Sequence, residues 1–281
     1  MGVREKLGYL KTIVKYNVKI DMRYPLSYLS GILNLFFWLL SFSILVMMLG
    51  SGQSSAILGN LIIWGVVSYM VFSSLTSEVG FGLYRLQRRG TLEQIFLTPI
   101  PYWLLPLGLA AFSLITGMIF MVFTIIFLVI LMDIPIIILN PMGGLIAFTL
   151  MFAMDYGIVL IYAGFSIRTK RSSWALVNAL NIAFMLFCGV FYSFSQMPEW
   201  LLRISRLIPQ SYAVDLLRTT IIGIPPELIP HPLRIGKWII EPTTCEWIIV
   251  ATISITTLAI GYIYLTKTIN EAKKKGYLST Y

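Results

Sequence analysis

Long uncharged apolar stretches alternate with short polar segments along this chain. No charged residue occurs from Tyr24 to Ser77 or from Thr98 to Met132. A helix needs about 20 apolar residues to cross the roughly 30 Å hydrocarbon core of a bilayer. The pattern therefore predicts an all-α membrane protein, a single transmembrane domain over 1–281. Its six predicted transmembrane helices cover about 26–49, 56–78, 102–132, 142–167, 173–195 and 245–266.

Composition supports the same class. Hydrophobic residues make up 58% of the chain and charged residues only 12%, whereas a soluble domain carries about 25% charged residues. The net charge of +9 could suggest a nucleic-acid partner. The basic residues lie between the apolar stretches, however, where they set the orientation of the spans. We therefore expect membrane lipid, and no nucleic acid, as a partner.

The distribution of Lys and Arg predicts the topology. The chain up to Arg23 has six of them, 79–101 has three, 168–171 has three and the C-terminal tail has four, whereas the turns at 50–55 and 133–141 have none. Basic residues favour the cytoplasmic side of a membrane. We predict a multi-pass protein of the plasma membrane with both termini in the cytoplasm.

The first segment, 1–23, has the pattern of an amphipathic helix. Its basic residues recur every four positions beside a stripe of Leu and Val; they are Lys11, Lys15, Lys19 and Arg23. Such a helix can lie in the membrane interface, with the cations among anionic head groups. We expect an interfacial helix; the alternative is a solvated helix that leads into the first span.

A short basic segment, 81–101, interrupts the apolar pattern between the second and third predicted spans. It is too charged to cross lipid, so we expect it to lie at one face of the membrane and to contact a separate soluble motor. The predicted contacts are Arg85, Arg88, Arg89 and Glu93. The alternative is that these arginines act only as topology signals.

The mixed segment 196–243 has a helical pattern of its own. A short helix starts at Pro198 and ends before Pro209, and a second begins near Ser211 and stops at Gly223. Neither helix is long enough to cross a membrane. We predict a re-entrant helical hairpin on the outer face before the last span, followed by a Pro-rich loop. Its predicted outer gate includes Trp200, Tyr212 and Arg218.

Asp155 is a carboxyl group near the middle of the fourth predicted span. An ionised carboxylate there costs at least about 2.5–3.5 kcal/mol, so the side chain is expected to face the interior of the helix bundle. It could belong to the substrate path, or it could form an interhelical hydrogen bond. Aromatic residues cluster in the first and fifth spans and include Phe37, Trp38, Phe187 and Phe191.

The residues for intramembrane catalysis are missing from the sequence. The single histidine, His231, lies in the Pro-rich loop, and no second carboxyl group is expected at the depth of Asp155. Cys188 and Cys245 form no metal motif; a disulfide and two buried thiols are both open. We expect no catalytic activity of the chain by itself, and no cofactor or metal bound to it.

Three short motifs resemble those of permease subunits of type-2 ABC exporters. The first is Gly90-Thr91-Leu92-Glu93 followed by Leu97-Thr98-Pro99, the second is Pro198-Glu199-Trp200-Leu201, and the third runs from Pro209 through Arg218 to Gly223. The resemblance covers the whole chain in the number, order and loop positions of the spans. The Pro-rich stretch 224–243 is longer than is usual in that family.

The resemblance implies a homodimer, or a pseudo-dimer with a sister permease, bound to two copies of an ATP-binding subunit. The segment 82–97 would be the coupling helix, and the aromatic residues above together with Asp155 would line the path of a drug, a lipid or a lipid-linked glycan. The sequence contains no G-x-x-x-x-G-K-[ST] phosphate loop, so ATP and Mg are expected on the partner subunit. The alternative is an ion-coupled secondary transporter without an ATPase partner, although no 3+3 repeat is evident.

Overall fold

The computed structural model describes residues 3–23, 25–49, 55–98, 101–132, 135–169, 173–235 and 238–275. Pro99 of the first motif and the basic residues Lys170 and Arg171 lie outside these ranges. The α-helices are α1 (Val3–Arg23), α2 (Pro25–Leu49), α3 (Ser55–Leu75), α4 (Gly82–Arg88), α5 (Thr91–Leu97), α6 (Leu104–Met132), α7 (Pro141–Thr169), α8 (Ser173–Phe187), α9 (Glu199–Ser205), α10 (Pro209–Ile222) and α11 (Pro242–Lys275).

The helical class predicted from the apolar stretches is confirmed. Helices α2, α6 and α7 begin and end close to the bounds predicted for the first, third and fourth spans. Four helices in the described part of the chain are long and apolar enough to cross a membrane: Ile57–Arg88, Leu104–Leu131, Pro141–Thr169 and Pro242–Lys274. The shorter apolar helices are Leu29–Leu40 and Ala175–Phe187. The count of six spans therefore stays a prediction.

The second predicted span does not stop at residue 78. A π-helical segment, Thr76–Phe81, joins α3 to α4, so that the helix continues to Arg88. A π turn holds more residues than an α turn and keeps the hydrogen-bonded backbone unbroken. The prediction of one separate coupling helix over 82–97 is therefore wrong in its bounds, because residues 82–88 belong to this long helix and α5 alone is separate.

The fifth predicted span is also shorter than expected. Helix α8 ends at Phe187, although the apolar stretch continues toward residue 195. Gly189 has φ of 67°, a left-handed conformation that glycine adopts without steric cost and that cannot continue the helix. A 15-residue helix is about 22 Å long, which is less than the thickness of the hydrocarbon core.

The segment 196–243 contains the two short helices that its proline pattern predicted, α9 and α10. Gly223 ends α10 with φ of 78°, and its N–H donates to the carbonyl of Thr219. A two-stranded antiparallel ribbon that was not predicted follows, in which Leu233–Ile235 (β1) pairs with Trp238–Ile240 (β2). Both cysteines are buried free thiols, so the disulfide alternative is wrong.

Glycines allow the closest helix packing in the core, between α7 and α11. A side chain on Gly157 would overlap the backbone of Thr257 and Leu258, and one on Gly261 would overlap the carbonyl of Gly157. Small residues at such crossings let two backbones approach where lipid supplies no hydrophobic drive for association. At the other end of the fold, α1 packs on α6, with Ile13 against Gly108.

Candidate functional site

A tight turn separates α4 from α5. The backbone N–H of Arg89 donates to the carbonyl of Arg85, and the N–H of Gly90 donates to the carbonyl of Gln87. Gly90 has φ of 71°, which a residue with a side chain adopts only under strain. The turn sets α5 as a separate short helix beside the end of α4.

The inner face of α5 is fixed to the core. Leu92 is completely buried in the main hydrophobic cluster, and Ile95 packs against the same cluster. Beside it, the buried amide of Gln87 donates to the last-turn carbonyl of Ile167 in α7 at 3.1 Å. These contacts hold α5 against the ends of the longer helices.

The outer face of α5 is open. Leu97 is 82% exposed, and Glu93 and Gln94, one helical turn before it, are exposed as well. The side chain of Arg88 at the end of α4 is also exposed. We call Arg88, Glu93, Gln94 and Leu97 the α5 surface. An apolar side chain with polar residues around it is an arrangement that a protein partner can cover. Leu97 belongs to a motif that the sequence displayed, but its exposure follows only from the fold.

Aromatic residues directly after α5 connect it to both ends of the chain. The hydroxyl of Tyr102 accepts a hydrogen bond from Nζ of Lys273 in α11 at 2.7 Å, and that Nζ also lies 4.2 Å from the centre of the ring. Nζ of Lys6 in α1 lies 5.7 Å from the centre of the Trp103 ring. Tyr102 and Trp103, which precede α6, thus contact α11 and α1.

The four predicted partner contacts do not point in one direction. Arg88 and Glu93 face outward on the α5 surface, whereas Arg85 and Arg89 line a neighbouring cavity. Arg85 Nη2 lies 3.7 Å from Oε2 of Glu78, and its guanidinium lies over the ring of Phe81 at 5.4 Å. Arg85 is thus the ion-pair partner of Glu78 at the end of this long helix.

The cavity has a volume of about 750 Å³ and lies between α1, α2, α3 and α6. Its charged end, next to the α4–α5 turn, combines Asp21 and Glu78 with the two arginines named above. Burial raises the pKa of Asp21, and the nearby Arg85 opposes that change. The remaining wall changes from hydroxyl and amide groups to aromatic rings. Its polar residues are Ser77, Ser74, Ser73, Thr116 and Asn34, and its aromatic residues are Tyr69, Trp38 and Phe120.

Two of the predicted substrate-path aromatics meet at the far end of the cavity. The Trp38 ring stacks on Tyr69 at 5.5 Å between centroids and contacts Phe191 at 5.4 Å. Phe37 is 60% exposed and does not line the cavity, and neither does Phe187. The carbonyl of Phe187 instead accepts a hydrogen bond from Ser205 Oγ at 2.6 Å.

Asp155 lies away from the cavity. It is completely buried in α7, as its sequence position predicted, and neither carboxyl oxygen has a hydrogen-bond partner among the described residues. The predicted interhelical hydrogen bond is therefore not formed. A neutral carboxylic acid is the form that such surroundings tolerate best, because an unpaired charge is far more costly to bury.

The three predicted outer-gate residues occupy different environments. Trp200 is 64% exposed, and the hydroxyl of Tyr212 donates to the carbonyl of Arg206 at 3.0 Å. Arg218 is completely buried. It donates hydrogen bonds to the carbonyls of Leu61, Gly189, Val190 and Tyr192. The structure thus does not bring these three residues together, and Arg218 holds helices in place instead of facing an opening.

Two acidic residues near Arg218 were missed in the sequence. Oδ2 of Asp215 accepts from the backbone N–H groups of Glu227 and Leu228 at 3.0 and 2.8 Å. The carboxylate of Glu227 in turn accepts from the backbone N–H of Phe194 at 2.6 Å. These bonds fasten the segment after α10 to the turn after α8.

A third acidic residue, Glu246 in α11, lies close enough to Asp215 for the two carboxyl groups to interact. Both are completely buried, and both oxygens of Glu246 and Oδ1 of Asp215 have no hydrogen-bond partner in the described part of the chain. Two neighbouring buried carboxyl groups are tolerated best when one of them carries a proton, since like charges side by side are unfavourable. The sequence expectation concerned only carboxyl groups at the depth of Asp155, so this pair, with Glu246 near the start of α11, was not considered.

A family model described as ABC-2 type transporter matches residues 9–222, from α1 to the end of α10. The chain belongs to the ABC-2 type transporter family. The match includes the α5 surface, the cavity and Arg218. A comparison with curated proteins gives no matching relative, so the assignment rests on the family model.

Membership in the ABC-2 type transporter family confirms the resemblance inferred from the three sequence motifs. The chain is accordingly the membrane subunit of an ABC-type transporter and a multi-pass membrane protein. ABC-2 permeases pair in general with ATP-binding subunits. The assignment does not favour the ion-coupled alternative.

Proposed function

We propose that this chain is the transmembrane subunit of an ATP-driven exporter and that its ATP-binding subunit docks on the α5 surface. The observation that carries the proposal is the contrast between Leu97, which is 82% exposed, and Leu92, which is completely buried on the same short helix. Leu92 anchors the helix, and Leu97 is available to a groove of the partner. Apolar anchors ringed by polar groups carry much of the energy of such interfaces.

The charged residues at the α4–α5 turn would complete the contact. Glu93 lies one helical turn from Leu97 and Arg88 is exposed at the end of α4, while Arg85 and Arg89 line the neighbouring cavity. ATP and Mg would be bound by the partner. In this arrangement two copies of the chain dimerise, and each copy binds one ATP-binding subunit.

The cavity is the proposed entrance of the substrate path. It changes from charged to aromatic walls, which suits an amphipathic drug, a lipid or a lipid-linked glycan. Trp38 and Phe191 would contact the apolar part of the substrate. The proposed orientation has six spans, both termini in the cytoplasm and transport outward across the plasma membrane.

Co-purification with a candidate ATP-binding subunit from the same genome tests the docking surface. Leu97→Asp places a charge at the centre of the proposed contact. We expect it to abolish the complex and the stimulation of ATPase activity in lipid nanodiscs. Leu207→Asp is a matched control, because Leu207 is also 82% exposed but lies after α9, outside the α5 surface.

Either of two results would overturn the proposal. One is an intact complex with full ATPase stimulation in Leu97→Asp, which would show that the partner does not use the α5 surface. The other is that the unmodified chain binds no ATP-binding subunit encoded in its genome.

A further inference from the structure

The charges at the mouth of the cavity are arranged as two opposite halves. Arg85 lies close enough to both Asp21 and Glu78 for their charges to interact, and it is in contact with Glu78 at 3.7 Å. With all three ionised, this group carries one net negative charge. Arg89 also lines the mouth, and its side chain has no ion pair or hydrogen bond with any described residue. The mouth therefore has an acidic half and a basic half.

The depth of the cavity separates this mouth from an apolar end. Glu78 and Tyr69, nine positions apart on one helix, are about 14 Å apart along the axis. Hydroxyl groups of Ser73, Ser74 and Thr116 line the wall between them. Hydroxyls of this kind can bond the ester or hydroxyl oxygens that follow a head group. An amphiphile would thus lie with its head group at the α4–α5 turn and its chain against the aromatic rings.

We propose that the cavity binds an amphiphile whose head group carries both a phosphate and a primary ammonium group, the chemistry of a zwitterionic phospholipid. The ammonium group would lie between Asp21 and Glu78, and the phosphate would accept hydrogen bonds from Arg89. Arginine is suited to phosphate because its planar guanidinium can donate two parallel hydrogen bonds. This proposal rests on the proposed function and specifies its substrate class.

A head group of a single charge fits this mouth less well. A purely anionic head group would satisfy Arg89 but would place its charge next to Asp21 and Glu78. An uncharged drug would leave both halves of the mouth desolvated without a partner, which is unfavourable for charged groups. The pairing of opposite charges therefore favours the zwitterion.

Direct lipid binding to the full chain, purified without any ATP-binding subunit, tests the proposal. The probes are lysophosphatidylethanolamine and lysophosphatidylglycerol with the same acyl chain, titrated against the detergent-solubilised protein by microscale thermophoresis. We expect the zwitterionic lipid to bind about tenfold more tightly, as one charge-assisted contact predicts. Asp21→Asn should remove this preference, and Arg89→Gln should weaken both lipids.

The control variant is Arg168→Gln, which removes an exposed arginine at the end of α7, outside the cavity. It should bind both lipids as the unmodified chain does. Equal or tighter binding of the anionic lipid to the unmodified chain would overturn the proposal, as would an unchanged preference in Asp21→Asn. Because no ATP-binding subunit is present, failure of the docking test and failure of this test are separate outcomes.

Discussion

The guanidinium of Arg218 in α10 holds the carbonyl of Leu61 in α3 with two hydrogen bonds, 2.9 Å from Nε and 2.6 Å from Nη2. The same Nη2 lies 2.6 Å from the carbonyl of Gly189 after α8. One side chain thus joins α10 to α3 and to the turn after α8. Its burial is offset by these bonds, since a buried arginine is tolerated only when its donors are satisfied.

Replacement of this arginine should destabilise the fold. Arg218→Met fills a similar volume but leaves several buried carbonyls without a donor, each of which costs about 1–3 kcal/mol. We expect a melting temperature in detergent that is lower by several degrees. Arg206→Met, at an exposed position, is the control. An unchanged melting temperature in Arg218→Met would show that the bonds contribute nothing.

The space for that guanidinium depends on a glycine. A methyl group on Gly65 would overlap the carbonyl oxygen of Val190 and Nη2 of Arg218. Overpacking of this kind typically costs about 1–3 kcal/mol. We therefore predict that Gly65→Ala lowers the melting temperature, whereas Gly8→Ala, where no atom lies within 4 Å, does not. Equal melting temperatures of the two variants would contradict the crowding at Gly65.

The Asp215–Glu246 pair predicts a dependence of stability on pH. Burial raises the pKa of Asp215 above its ordinary value of 3.8, and the neighbouring Glu227 acts in the same direction, while the backbone N–H of Leu228, the side chain of Glu246 and the charge of Arg218 oppose it. The folded state therefore binds its proton more tightly than the unfolded state. By linkage, stability is greatest at low pH and falls as pH rises above about 4.

Asp215→Asn should reduce that pH dependence, because an amide cannot ionise but can still accept the backbone hydrogen bonds. The measurement is the melting temperature of both proteins between pH 4 and pH 7. We expect the unmodified protein to lose several degrees more than Asp215→Asn over this range. Parallel curves for the two proteins would refute the raised pKa.

Asp155→Asn tests the unpaired carboxyl group in α7. The substitution keeps the shape and removes the capacity to ionise. We expect normal expression and a melting temperature within a few degrees of the unmodified protein, because the acid is already neutral in its apolar surroundings. We also expect reduced transport in reconstituted vesicles. Full transport would remove Asp155 from any functional role.

The sequence predicts the helices best where composition alone decides them. Uncharged apolar stretches of more than 20 residues leave few alternatives to a helix, so α2, α6 and α7 have nearly the predicted bounds. The end of α8 was not predictable in the same way. The apolar residues continue past Phe187, and the left-handed backbone of Gly189 that ends the helix depends on its packing beneath Phe194.

The candidate site shows a similar division. The sequence identified the basic segment because its charges interrupt an apolar pattern, but it could not show that Arg85 and Arg89 turn toward a cavity while Arg88 and Glu93 face outward. That separation depends on the π-helical segment and on the left-handed turn at Gly90. The neighbouring carboxyl groups of Asp215 and Glu246 likewise belong to positions that no local pattern relates.

The π-helical segment Thr76–Phe81 also sets the rotation of α4 relative to the part of the same helix that forms the cavity wall. If these six residues adopted α-helical geometry, every residue after them would rotate by about one residue position, roughly 100° at 3.6 residues per turn. Arg85 would then leave the mouth while Ser73 and Ser74 stayed in place. The π-helical geometry of these six residues thus sets which side of the helix Arg85 presents to the cavity.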